Sequence, residues 1–321
     1  MEDFHKYLKI YTFGHDENKE IFKDPEDEIV IQEKIDGGNF RFMIKDDKVI
    51  FGSRTQQITD DEGNEVNVSK DFNRVVLFVR NRVEEAKKQQ NIKSFKFLEN
   101  FIFYGEACHK HTMSYNWEKI PPFLGFDVYD MKTNKFLDCG EAQALFASFN
   151  LEFVPIIDIV KAKDIKEIND DIVPVSRYAL LSNPTQKCEG VVFKNAKKQI
   201  YAKYVRNEFK EENAKAFGGN PKYNNEGNNN GDFIFKYCTN PRIDKIIFKL
   251  MDEGNKLEMQ LMKHLPKRVL FDIWEEHWQD IRDSNWVLDM GDLRRKIPKR
   301  CVAVLQQVIV NTGLRDENGN V

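Results

Sequence analysis

The chain has 321 residues, 41% hydrophobic and 31% charged, with 49 Lys and Arg against 52 Asp and Glu and a formal net charge of −3. The apolar fraction excludes a disordered or fibrous chain, the length allows two domains, and the near-neutral balance gives no global sign of nucleic-acid binding. No apolar stretch reaches the roughly 18 residues that span a bilayer, the N-terminal MEDFHKYLKIYTFGHD lacks a signal-like apolar run, and the cysteines form no CxxC pair, so a soluble, cytoplasmic chain with reduced thiols is expected.

In chain order, EIVIQEKI at 28–35, NFRFMI at 39–44 and KVIFGS at 48–53 read as strands. The last two flank Lys45-Asp46-Asp47 and form an expected hairpin directly after the Gly37-Gly38 break. Phe72, Val75, Val76, Val79 and Val83 recur at spacings of three and four, which predicts an amphipathic helix over 69–90. Further strands are expected at 101–107, at 123–130, in FVPIIDIV and in EGVVFKN. The stretch GGNPKYNNEGNNNG at 218–231 has almost nothing to bury and reads as a linker or mobile loop. Beyond it the period becomes helical, with Ile243, Ile246, Ile247 and Leu250, then Leu257, Leu261 and Leu265, then Val302, Leu305 and Val308. The expected organisation is therefore 1–217, a linker at 218–231, and a small helical domain at 232–321.

The sharpest local pattern is Lys34-Ile35-Asp36-Gly37-Gly38-Asn39-Phe40-Arg41, a lysine ending one strand, glycines at the turn and an arginine entering the next. By itself it is equally a surface hairpin with Lys34 and Asp36 as a solvated ion pair. Cys108, His109 and His111 cluster locally, but a zinc site needs about two further ligands and none follows. Other segments follow in order: Gly52-Ser53-Arg54-Thr55, Tyr104-Gly105-Glu106, Phe126-Asp127, Glu189-Gly190-Val191-Val192-Phe193-Lys194 and Tyr201-Ala202-Lys203-Tyr204.

This series resembles the collinear motifs of covalent nucleotidyltransferases, the ATP-dependent polynucleotide ligases and mRNA capping enzymes. The resemblance implies an α+β fold: an ATP-grasp-like nucleotidyltransferase domain with antiparallel sheets, here followed by a small all-α C-terminal domain. It implies that Lys34 becomes a lysyl-AMP adduct. A lysine amine attacks phosphorus only when neutral, against an ordinary pKa of about 10.4, so its pKa must be depressed or its proton removed. By the same resemblance Asp36 belongs to the catalytic set, Arg54 contacts a 5′-phosphate, and Lys203 contacts the α-phosphate. Glu189 and Asp127 hold Mg²⁺ or Mn²⁺. Glu33, Ile35, Asn39, Arg41 and Lys194 line the nucleotide site, where Glu106 accepts from ribose hydroxyls and Phe126 stacks on the purine. Ordinary core is the competing reading of Phe126, and capping or ion pairing that of Asp127 and Glu189. The usual second lysine of the last motif is missing, since its slot holds Tyr201 or Val205, and Lys194 or Arg206 are the cations near enough in sequence to compensate.

Glu33-Lys34-Ile35-Asp36-Gly37-Gly38-Asn39-Phe40 looks like the RNA ligase 2 and RNA-editing ligase branch, with Asp36 and Gly38 where that branch prefers His and Thr. The helical pattern after 232 favours that branch over DNA ligases and capping enzymes, which usually carry an OB-fold barrel there. Arg294, Arg295, Lys296, Lys299 and Arg300 are candidate contacts to a nucleic-acid backbone or simply a solvated helix end. Trp274, Trp278 and Trp286 offer either a base-stacking surface or helical core. The expected protein is a monomeric ATP-dependent RNA ligase sealing 3′-OH and 5′-phosphate ends, at nicked duplex RNA, bridged ends or DNA-splinted RNA. The alternatives are a GTP-dependent capping enzyme, a DNA ligase, or a non-catalytic RNA-end-binding protein.

Overall fold

The computed structural model describes residues 4–54, 56–60, 63–64, 70–89, 92–109, 113–206 and 229–313. The chain divides into two compact units, residues 1–206 and 207–321. Most of the expected linker lies outside the described residues, as do His111 and Thr55.

The first unit is built on two five-stranded sheets. Sheet I has the order β1 (Tyr11–Thr12), β10 (Ile200–Val205), β9 (Gly190–Asn195), β2 (Glu28–Lys34), β8 (Ile156–Lys161) and is antiparallel except for β1 beside β10. Sheet II is antiparallel throughout, in the order β4 (Lys48–Ser53), β3 (Gly38–Lys45), β5 (Phe101–Ala107), β6 (Phe123–Asp130), β7 (Lys135–Phe136). The β3–β4 hairpin closes with Lys45 opposite Lys48. Asp46 and Asp47 both have positive φ, 47° and 65°, the two-residue turn whose twist matches that of the strands. The strand read from FVPIIDIV begins only at Ile156, because Pro155 has no N–H to give a ladder; its carbonyl instead accepts from Glu33 N–H at 2.9 Å.

Alternation along β3 sends Phe40, Phe42 and Ile44 to one face of sheet II. There they join Phe51, Phe103, Phe123, Phe146 and Phe149, with Phe42 stacked on Phe103 at 4.7 Å between ring centres. Each such ring contributes about 2–3 kcal/mol by leaving water. Helix α1 (Lys70–Gln89) closes over this core through the fully buried Phe72, Val75, Val76, Val79 and Val83. A short α2 (Ile92–Phe97) follows, and α3 (Cys139–Ser148) starts from an Asp138 cap box and delivers Phe146. Sheet I has its own core on one face, formed by Ile29, Ile31, Val191, Phe193 and Ala202. Its other face carries Lys34, Lys194 and Tyr201 and meets sheet II, where the Tyr201 ring lies 5.8 Å from that of Phe136.

The described residues of the second unit are helical: α4 (Asn230–Tyr237), α5 (Asn240–Asp252), α6 (Leu265–Asp283) and α7 (Met290–Gly313). They surround a core of Phe233, Ile243, Ile247, Leu265, Val269, Ile273, Leu293 and Leu305. Two differences from the sequence reading have local causes. Helix α4 begins at Asn230, inside the stretch read as linker, because that asparagine is a buried cross-link whose Nδ2 donates to Asp289 O and Asp292 Oδ2. Leu257, Leu261 and Leu265 do not share a helix: Leu261 sits in a 3-10 turn and α6 starts at Leu265, since Pro266 tolerates only a first helical turn.

Candidate active site

The turn Ile35-Asp36-Gly37 is where the chain leaves sheet I and enters sheet II, which puts the last side chain of β2 at the junction between them. In the pairing of β2 with β9, Lys34 stands opposite Gly190, so the residue just before Gly190 lies beside it. The amine of Lys34 and Glu189 Oε2 are 2.6 Å apart, with the side chains 22% and 9% exposed. Gly190 is obligatory: a Cβ there would lie 1.9 Å from the Tyr204 carbonyl oxygen of β10.

Burial alone would push the Lys34 amine down, but the charges of Glu189, Glu106 and Asp36 outweigh it and hold its pKa above the ordinary lysine value. In this state the lysine is a clamped cation. The sequence requirement for a neutral amine is thus met only once the surrounding negative charge is drawn off.

The turn after Lys34 is fixed from three sides. Asp36 N–H donates to Tyr115 Oη at 2.8 Å, the Asp36 carboxylate accepts from Met113 N–H at 2.6 Å, and Gly37 N–H donates to Glu106 Oε1 at 3.0 Å. Gly37 is needed where the turn passes against β5, because a Cβ would sit 2.4 Å from Ala107 O. No sequence signal marks Tyr115 or Met113, whose loop carries no recognisable pattern.

Other expected site residues divide by face. Asn39, Arg41 and Glu106 lie on the side of sheet II opposite the phenylalanine core, with Asn39 paired to Glu106 and Arg41 to Tyr104. The Arg41 guanidinium is buried against the Phe4 ring at 4.3 Å, and burial brings its pKa down to about 10. Arg54 follows Ser53, the last paired residue of β4, and is half-buried. Phe126 is half-buried, 4.9 Å from the Tyr7 ring and packed beside Met43 and Tyr104. Lys203 occupies β10 opposite Val192, two positions from Lys194 along the paired strand.

Glu33 and Ile35 do not line the face that carries Lys34. The period of two turns the Glu33 carboxylate to the opposite side of β2, where it accepts from Ser176 Oγ at 2.5 Å and Arg177 N–H at 3.3 Å, and burial raises its pKa. The Ile35 side chain is buried, 4% exposed. Asp127 and Lys194 are drawn together rather than toward a ligand: their charged ends lie 2.8 Å apart, the Lys194 amine also donates to Phe126 O at 2.7 Å, and Tyr7 Oη donates to Asp127. That leaves Glu189 as the carboxylate beside the lysine. Among the described residues no group of three His, Cys, Asp or Glu could hold a metal by itself, and Cys108 is buried with its thiol near Glu106 O.

The second-lysine slot is filled by packing. Tyr201 is buried at 6% exposure and Val205 pairs with Gly190, while the Arg206 Nε, one of the suggested substitutes, donates to Cys188 O at 2.6 Å.

In the second unit, Arg294, Arg295 and Lys299 are exposed on α7, Lys296 is tied to Asp292 at 2.7 Å, and Arg300 Nε donates to Cys238 O at 2.6 Å. Trp274 and Trp286 pack on the helical core, whereas Trp278 is 40% exposed beneath the Arg282 guanidinium at 4.4 Å. No helix among the described residues is long and apolar enough to cross a membrane.

No curated protein sequence matches the chain. Solved structures of Naegleria gruberi RNA ligase are similar: one of a variant with ATP and Mn at 20% identity and TM-score 0.45, covering 64% of this chain and 58% of that one. Another, with PPi, gives 18% identity and TM-score 0.46 over 67% and 63%. The chain thus spans about three-fifths of the length of these structures. The family model described as RNA ligase matches residues 27–210, more than half of the 321, a span that holds both sheets' central strands and the Lys34–Glu189 pair. On that match the chain belongs to the RNA ligase family.

Proposed function

We propose that the chain is an ATP-dependent RNA ligase that joins 3′-OH and 5′-phosphate ends at nicks in duplex RNA. The observation that carries this reading is the Lys34–Glu189 contact of 2.6 Å at the junction of the two sheets, inside the family span. Residues 1–217 would form the adenylyltransferase domain and 232–321 the RNA-engaging one.

In the first step Lys34 Nζ loses its proton to water, and the neutral amine attacks the α-phosphorus of ATP. The N–P bond forms as the bond to the β-phosphate oxygen breaks, and pyrophosphate leaves with the electron pair. The 5′-phosphate oxygen of RNA then attacks the same phosphorus and releases Lys34, giving adenylylated RNA; a 3′-hydroxyl finally attacks the 5′-phosphorus and expels AMP. Arg54 would hold the 5′-phosphate through its planar fork, and Lys203 would face the α-phosphate. Glu106 and Asp36 act first as part of the charge that restrains Lys34 and as anchors of its turn.

Mg²⁺ and Mn²⁺ suit the donor set, since such ions commonly take one or two carboxylates with substrate phosphates and water. Glu189 would hold the ion, whereas the Asp127 oxygens are engaged by Lys194 and Tyr7. When bound, the ion supplies positive charge that offsets the triphosphate and the carboxylates around Lys34.

The test is incubation with divalent metal and α-labelled ATP or GTP, followed by denaturation. Label from ATP on the wild-type chain and none on Lys34→Ala is expected. Label from GTP would indicate capping chemistry. RNA binding with no label, after intact mass has excluded pre-adenylylated protein, would indicate an RNA-end-binding protein, a reading that the lack of a lysine at both Tyr201 and Val205 favours.

A further inference from the structure

Among the described residues of the expected set, Arg41 is the one whose charge the fold buries without giving it an anion. It is 3% exposed, Nε and Nη1 have no hydrogen-bond partner, and the described group acting on its charge is the Tyr104 hydroxyl. A guanidinium is costly to bury in this way unless something negative arrives.

The surroundings are shaped for it. Across the ladder Arg41 faces Gly52, where a Cβ would come within 2.7 Å of Arg41 Nε and 2.8 Å of Phe4 Cε1. Only glycine leaves that slot open. Arg54 comes two residues after Gly52, in the turn where Ser53 N–H donates to Gln56 O at 2.8 Å and Gln57 folds back to pair with Gly52, so the two arginines belong to the same end of the β3–β4 hairpin.

Phe4 covers the guanidinium at 4.3 Å. The chain is pinned immediately afterwards: Tyr104 Oη donates to His5 O at 2.8 Å and Tyr7 Oη donates to Asp127. Phe4 precedes both pins, so rotation about its own torsions would break neither.

We propose that Arg41 is a second phosphate clamp, beside Arg54, for the 5′-phosphate of the RNA end, and that Phe4 is its displaceable cover. This rests on the ligase reading above. The incoming phosphate exchanges the aromatic face for two charge-assisted hydrogen bonds from the planar fork. A hydroxyl end has no charge to repay the displacement, so the device selects phosphorylated ends.

The test measures binding of a nicked RNA duplex carrying either a 5′-phosphate or a 5′-hydroxyl at the nick, using the full chain with Lys34→Ala to stop turnover. Arg41→Met is expected to reduce the preference for the phosphate end by about tenfold or more, and Arg41→Lys by less, because the ammonium keeps charge but loses the fork. Phe4→Ala is expected to raise that preference, with Phe4→Leu between it and the parent. A preference that survives Arg41→Met in a folded variant overturns the proposal, and so does equal weakening for both ends. Should Arg41→Met not fold, an unchanged preference in both Arg41→Lys and Phe4→Ala overturns it. If Arg41→Met in the chain with Lys34 intact lowers the lysyl-AMP yield while the end preference stands, the anion is the triphosphate and the assignment to RNA falls. Failure of the ligase reading is read separately, as absence of any adduct on the unmutated chain.

Discussion

Replacing Glu189 by Gln removes the charge that holds Lys34 as a cation while keeping the shape of the side chain. At 2.6 Å and an effective dielectric of about 20, the gross attraction is about 6 kcal/mol. Desolvating two ions this far buried takes back several kcal/mol, so the net contribution to folding is about 1–3 kcal/mol. With one of its three carboxylates gone, Lys34 is governed more by burial and its pKa falls relative to the unmutated protein. The assay is acylation of lysines at pH 8–9 followed by peptide mass mapping, in which only the neutral amine reacts. Lys34 should label several-fold faster in the variant, while surface lysines serve as internal standards. The sign can also be tested through stability. Because the folded pKa is raised, the contribution of the Lys34 charge is fully present below the unfolded value of about 10.4 and is lost as pH rises through the folded one. The stability gap between the unmutated chain and Lys34→Met should therefore narrow above about pH 10.4. Unchanged or slower labelling in Glu189→Gln, or a gap that widens with pH, would refute the account of Lys34 as a carboxylate-clamped cation.

Asp127→Asn leaves the Lys194 amine buried without its partner and should cost about 3–5 kcal/mol, or roughly 6–20 °C in melting temperature for a unit of this size. Asp127→Asn with Lys194→Met should recover most of that loss; a double variant no more stable than the single one argues against a structural pair. Alanine at Arg294 and Lys299, both exposed on α7, should weaken RNA binding and lower the salt slope by about 0.9 for each phosphate that is no longer neutralised. An unchanged slope in a binding titration removes that helix surface from the RNA interface.

Most of the strands of the first unit were legible from local pattern, because alternation of apolar residues and turn residues such as Asp46 and Asp47 act within a few positions. The linear order from Lys34 to Lys203 was enough to suggest the nucleotidyltransferase arrangement. It was not enough to say which side chains meet. Glu33 and Lys34 are neighbours in sequence, yet the pleat sends one to Ser176 and the other to Glu189.

What the sequence by itself determined is the set of elements and the chemistry present at their ends: a lysine before a glycine turn, arginines at the hairpin, carboxylates closing strands. Tertiary structure decided how the charges are paired, because pairing depends on strand register and on which face of each sheet a residue occupies. Lys34 received Glu189 through the β2–β9 register, and Lys194 received Asp127 across the two sheets. Arg41 received the Phe4 ring in place of an anion. Residues brought together over separations of 155 and 67 positions leave no periodic trace, and the cost of burying an ion is set by its neighbours in space rather than in sequence.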